Sequence, residues 1–187
     1  RVLVLARPGG RRGRGVIAGH RIAPGADAGH RPAIPPPAPL PITRDTPFRA
    51  TGPVTREVWR RVFRDAGCPF SDSELNQCHD LALPVSALVM HLAGQESAYG
   101  TDMTYTNNWL GLRFPDSLDF MSFSSPMACA IELIRRWTDP TYKPSNPGVY
   151  MPADKPLDDF YYAYAPPNEN PTEGRIKVAL AQINAWR

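Results

Sequence analysis

Glu96 is the residue whose type and position call for a chemical explanation. Val85, Leu88, Val89 and Leu92 recur at helical spacing, and the next place on that stripe, four residues beyond Leu92, holds a carboxylate. Two effects act against its ionisation: desolvation by the core, and the negative end of the helix dipole in the last turn. Both raise the pKa of a carboxyl group, as a general acid working near neutral pH requires. The competing reading is a boundary residue that pairs with an arginine or caps a neighbour's amides. Gly94, which costs roughly 1 kcal/mol relative to Ala inside a helix, implies close packing on another side of the same helix.

A second polar group follows. Asn107, Asn108, Trp109 and Arg113 supply two amides, an indole and a cation within seven residues, a set suited to a sugar carrying N-acetyl groups. Trp109 would stack on a pyranose ring or, equally, anchor the core. Arg113 is a cation that suits a carboxylate, with a solvated loop charge as its alternative. Tyr99, Tyr150, Tyr161, Tyr162 and Tyr164 offer further aromatic contact, although Tyr164, four residues after Phe160, could also pin a helix to the core. Cys68, Cys78 and Cys129 form no C-x-x-C pair, and no His stands at ligand spacing from them. Three buried thiols are expected, a Cys68–Cys78 disulfide being the alternative. No metal and no cofactor are expected.

The elements that must position these residues are helical. Thr55 can cap a helix carrying Val58, Trp59, Val62, Phe63 and Ala66, stopped by Gly67. Ser71-x-x-Glu74 is a capping-box pattern opening a helix with Leu75, Cys78 and Ala82 on one side, ending near Pro84. The helix of Glu96 spans about 85–99 and stops at Gly100. Residues 107–123 read as a loop with two short strands. Ser124 or Ser125 caps a helix with Pro126 first, then Met127, Ala130, Ile131, Ile134 and Trp137 on one stripe. A short helix over 158–164 and a last one from about Thr172, burying Ile176, Ala179, Leu180, Ile183 and Trp186, complete a mainly α domain.

The 187 residues suffice for one ordinary domain, and no window approaches ~18 consecutive apolar residues, which excludes a transmembrane helix. The net charge of +3 is unevenly spread: over residues 1–52, nine Arg against two Asp give +7, leaving twelve basic and sixteen acidic residues, or −4, for 53–187. Ten of the 22 prolines lie in the first 53 residues, beside Gly- and Arg-rich runs. Residues 1–52 therefore read as a disordered basic tail or linker, and 53–187 as the folded domain. The run Val2-Leu3-Val4-Leu5 is too short for a signal core, and the opening Arg suggests that processing or truncation removed what preceded it.

These residues carry a family resemblance. Gln95-Glu96-Ser97-Ala98-Tyr99-Gly100, then Asn107-Asn108-Trp109-Leu110-Gly111-Leu112, then Phe120-Met121-Ser122-Phe123 ahead of a helix and Tyr142, and finally Tyr164-Ala165-Pro166-Pro167-Asn168-Glu169-Asn170 follow one another in order. The series resembles the glucosaminidase-type peptidoglycan hydrolases, family-73 glycoside hydrolases of the lysozyme superfamily, in their short phage and actinobacterial form. The resemblance covers about 53–187. It implies a lysozyme-like helical fold with a reduced β-lobe, and Glu96 as the acid that protonates the glycosidic oxygen.

Larger members carry, between the second and third motifs, a lobe that contributes another acid; here only residues 113–119 intervene. Asp119, ahead of Asp116, is the candidate, with both otherwise plain turn residues and Asp102 also near. A carboxylate ~6.5–9.5 Å from Glu96 would permit inversion and one at ~5–5.5 Å a covalent intermediate, while the absence of both would leave substrate assistance. Phe123 stands where the family has Tyr. The expected activity is cleavage of the β-1,4 glycan backbone of peptidoglycan, of N-acetylglucosaminidase or muramidase type. A non-catalytic wall-glycan-binding or structural phage tail module is the alternative, ahead of a lytic transglycosylase. The resemblance further implies an extracellular, wall or virion location, and partners through residues 1–52 among virion or envelope proteins. No specific nucleic acid is expected.

Overall fold

Each of the first two helices, and the fourth, begins where a side chain can cap it. Thr55 Oγ1 accepts the amide of Val58 to open α1 (Arg56–Asp65). Ser71 and Glu74 form a reciprocal capping box at the start of α2 (Asp72–Ala82). A 3-10 turn over Leu83–Val85 leads into α3 (Ser86–Ser97). Ser125 Oγ accepts from Ala128, with Pro126 first in α4 (Pro126–Thr138); α5 (Leu157–Tyr164) and α6 (Thr172–Trp186) follow. The computed structural model describes residues 38–115, 117–139, 141, 154–164 and 172–187. Asp116, Tyr150, Tyr142, residues 165–171 and the tail over 1–37 lie outside the described residues.

The described residues are mainly α, with two isolated antiparallel bridges and no strands. One of them, Arg113 with Phe120, stands where two short strands were expected. The amide of Phe114 donates to Asp119 O, that of Met121 to Leu112 O and that of Phe123 to Thr106 O, so residues 106–123 form a small folded-back lobe. No helix among the described residues is long and apolar enough to cross a membrane.

The helix α3 runs through the interior with nine of its residues buried, three of them the polar Ser86, His91 and Ser97. It packs on α2 and α6; α2 in turn packs on α1 and α4, and α5 on α6. The rings of Trp59, Phe63, Phe70 and Trp109 meet edge-on or tilted in one cluster, and in a second Phe48 stacks on Phe160 while Trp137 and Tyr161 meet Phe160 edge-on. Cutting any one of the fully buried rings back to Ala would cost about 3–5 kcal/mol.

Two sequence expectations change here. The folded unit starts upstream of Pro53: Ile42 and Phe48 are buried, and Asn184 of α6 holds the backbone of Ile42 by both N–H and C=O, at 2.7 and 2.9 Å. The amide of Phe48 donates to Lys155 O, so residues expected as tether are strapped along the approach to α5. A high proline content disfavours long helices over this stretch, where Phe48–Ala50 form one 3-10 turn, but it does not prevent burial of the apolar side chains it carries. On α4, the buried face is Cys129, Ala130, Leu133, Arg136 and Trp137, and Ile131 is 46% exposed. The helix is rotated from its simple apolar stripe because Arg136 enters the interior with Glu132, four residues earlier, as its partner at 2.7 Å.

Cys68, Cys78 and Cys129 are free and buried, as expected. Burial pushes the thiols of Cys78 and Cys129 up to about 12, which keeps them protonated and unreactive.

Candidate active site

Glu96 sits in the last turn of α3, and the chain beyond it turns sharply. Ala98, Tyr99 and Gly100 all take left-handed backbone angles, φ 46°, 60° and 82°. This run reverses the chain so that Tyr99 folds back on its own helix. A Cβ on Gly94 would lie 2.8 Å from the Tyr99 ring, which is the close packing that a glycine inside a helix implied. Ser97 Oγ accepts from the Gly100 amide and donates to Trp109 O, both at 2.8 Å, tying the helix end to the following loop.

That loop closes against the carboxylate. Gly111 has φ 63°, and a Cβ there would collide with Glu96 Oε2 and lie 3.1 Å from Cδ. Gly111 is therefore required twice, by its backbone angle and by the acid that rests on it. Asn108 fixes the loop: its amide nitrogen donates to Leu112 O and Met121 O at 2.8 and 2.9 Å, and its Oδ1 accepts from Leu112 N at 2.7 Å. Asn107, with φ 54°, donates to Phe123 O at 2.9 Å.

The Glu96 side chain retains 20% of its exposure. Its Oε1 accepts from Arg175 Nη1 of α6 at 3.4 Å, and the Arg175 side chain is 15% exposed. The arginine pairing that the alternative reading of Glu96 called for is thus present. Tyr161 and Tyr164 of α5 lie within the field of both charges. Burial raises both phenols well above their ordinary value, with the Glu96 charge adding to the effect and Arg175 opposing it. His91, one turn and a half earlier on α3, is fully buried, and its Nδ1 donates to Gln182 Oε1 at 2.7 Å. Burial, opposed by the Gln182 hydrogen bond and reinforced by Arg175, lowers its pKa and favours the neutral imidazole.

Several expected sugar contacts take other roles. Trp109 is fully buried, its Nε1 donating to Pro126 O at 2.8 Å, and its ring meets Trp59, Phe63 and Phe70, so it has no face for a pyranose. Asn108 is likewise spent on the backbone of its own loop. Tyr164 donates to Leu110 O at 2.9 Å and stacks on Phe160, anchoring α5 to the loop beneath Glu96. Arg113 lies with its guanidinium 4.9 Å from the centroid of the Phe120 ring. Asp119 is exposed at a tight turn, its amide donating to Ser117 Oγ at 3.1 Å, the plain turn role set beside its catalytic one. Tyr99 is half-buried, edge-on to Phe63. Asp116 and Tyr150 lie outside the described residues.

The residues that sequence reasoning missed are Arg175, Gly111 and Ser97. A glycine five residues into the Asn-Asn loop was a visible signal for the second; nothing local points from Arg175 to an acid 79 residues away. No protein-family model, no curated protein and no solved structure matches this chain.

Proposed function

We propose that this protein hydrolyses the β-1,4-linked glycan backbone of bacterial peptidoglycan on a reduced lysozyme-like helical domain, with Glu96 as proton donor. The observation that carries the reading is the setting of Glu96 itself. It is a carboxylate one-fifth exposed, at the end of a helix otherwise sunk in the core, resting on a glycine that admits no side chain. A group so held is fixed in direction yet reachable from solvent, as proton transfer to a bound substrate demands. The order of the glucosaminidase-like motifs along the chain supports the same reading.

In this reaction the Glu96 carboxyl gives its proton to the glycosidic oxygen as the C1–O bond breaks, and the bonding electrons leave with that oxygen. Water adds hydroxyl to C1, and its remaining proton restores the carboxyl. Cleavage after N-acetylglucosamine and after N-acetylmuramic acid both fall within the proposal, as do Asp119 or substrate assistance for the second role. The substrate lies outside the cytoplasmic membrane, so the protein would reach it from outside the cell or on a virion, with the +7 tail drawn to anionic wall polymers.

A second reading rests on the Arg175 pair: a wall-glycan-binding or structural module in which Glu96 is a structural partner. Release of reducing ends from purified peptidoglycan separates the two. Glu96→Gln is expected to lower that release by about a thousandfold while the thermal midpoint stays close to that of the wild type. Wall binding by the wild type with no soluble product would favour the second reading, and full activity in a folded Glu96→Gln variant would remove Glu96 from the mechanism.

A further inference from the structure

Arg175 is placed against the preference of its own helix. It lies in the first turn of α6, where the helix dipole disfavours a cation, and its side chain is largely withdrawn from water. A guanidinium presents five N–H donors. Among the described residues Arg175 makes one hydrogen bond, the 3.4 Å contact with Glu96. Other arginines here meet carboxylates much more closely: Arg44 with Asp158 and Glu173 at 2.7 Å, Arg64 with Asp72 at 2.7 Å, Arg136 with Glu132 at 2.7 Å. The result is a largely desolvated cation, held at long distance by Glu96 and, among the described residues, with donors that have no other partner.

Such a fork matches a planar anion. Resting on the reading of Glu96 as proton donor, we propose that Arg175 is a specificity-determining residue of that site. Its guanidinium receives a carboxylate carried by an amino-sugar glycan, so that carboxylate-bearing strands are preferred to neutral ones. The role that Arg113 suited in sequence passes to a residue that touches the acid. A docked carboxylate competes with Glu96 for the guanidinium.

The carboxylate can come from the lactyl group or from the stem peptide, and three ligands separate the sources. They are a peptide-free muramyl disaccharide with its lactyl acid free, the same disaccharide with the acid reduced to the alcohol, and a peptide-bearing disaccharide whose lactyl group is amide-linked. Calorimetry on these product-sized fragments reads binding without turnover. The wild type is expected to bind one or both acids about tenfold more tightly than the alcohol, and Arg175→Gln to abolish that preference. Arg175→Lys, which keeps the charge without the fork, should retain part of it and serves also if the Gln variant does not fold. Equal binding of acid and alcohol by the wild type, or an intact preference in folded Arg175→Gln, would overturn the proposal even where hydrolysis is robust. A wild type that prefers the acids yet releases no reducing ends would instead sink the hydrolase reading and leave Arg175 its role in binding.

Discussion

Two carboxylate–guanidinium pairs lie in the shell of this protein's core, and they are built to different standards. On α4, Glu132 holds Arg136 at 2.7 Å and Arg135 at 2.8 Å, while Arg136 also donates to Arg113 O at 3.0 Å and contacts Met121 Sδ; the Arg136 side chain is 1% exposed. Between α3 and α6, Glu96 meets Arg175 through one contact at 3.4 Å, and both side chains keep some exposure. A buried charge must have its donors satisfied, because desolvation costs several kcal/mol for each ion. Where the chain supplies all the partners, the pair serves the fold. The second pair, held at a longer distance and nearer the solvent, is the one we assign to ligand recognition.

Substitution should separate the pairs in thermal or denaturant unfolding. Arg136→Ala removes the buried partner of Glu132, leaves that carboxylate to Arg135 and opens a cavity in the core, and is expected to cost about 3 kcal/mol, whereas Arg175→Gln should cost no more than about 1 kcal/mol. Equal losses would erase the contrast. Gly111→Ala comes next in size. The left-handed angle alone costs an alanine about 1–2 kcal/mol, and its Cβ would also displace the Glu96 carboxylate. Stability should therefore fall modestly and glycan cleavage far more, a split that a purely structural Glu96 would not give.

The smallest effect sharpens the environment of Arg175. His91 is held neutral by burial, with Arg175 adding to the effect, so its folded pKa lies below the ordinary 6.5. The unfolded chain takes up a proton near pH 6.5 and the folded chain resists it. Its contribution to stability is present above that pH and is lost as pH falls towards the folded value. Unfolding followed between pH 7 and 5 should show this decline, reduced in Arg175→Gln and absent in His91→Gln. The carboxylates whose pKa is lowered by hydrogen bonds, Asp72 with Arg64, Glu74 with Ser71 and Asp80 with Arg56, act in a separate window, losing their contribution only as pH drops below about 4.

What the sequence made legible was local. The caps at Thr55, Ser71 and Ser125 and the stop at Gly67 each act within four residues, so the helix ends could be read directly. The buried sides of α1 and α2 follow from spacing alone. Spacing failed on α4, because an arginine with its own acid one turn away can be buried, and no apolar stripe encodes that. It failed also for Trp109: an indole in a polar loop looks the same whether it faces a sugar or turns inward, and only the ring cluster of Trp59, Phe63 and Phe70 decides. Glu96 stood out because it broke a pattern. Arg175 broke only the weak preference of a helix start against cations, and its meaning came from a partner on another helix.

The left-handed run after Glu96 carries a consequence for how this protein would respond to selection. Ala98 and Tyr99 occupy backbone angles that favour glycine, and each such residue holds the fold below the stability open to it. A laboratory search for heat-resistant variants would find Ala98→Gly among its cheapest gains. The same glycine would loosen the turn that seats Tyr99 on Gly94 and aims the end of α3, so heat resistance and precise aim of the acid would be drawn from one short stretch of chain in opposite directions.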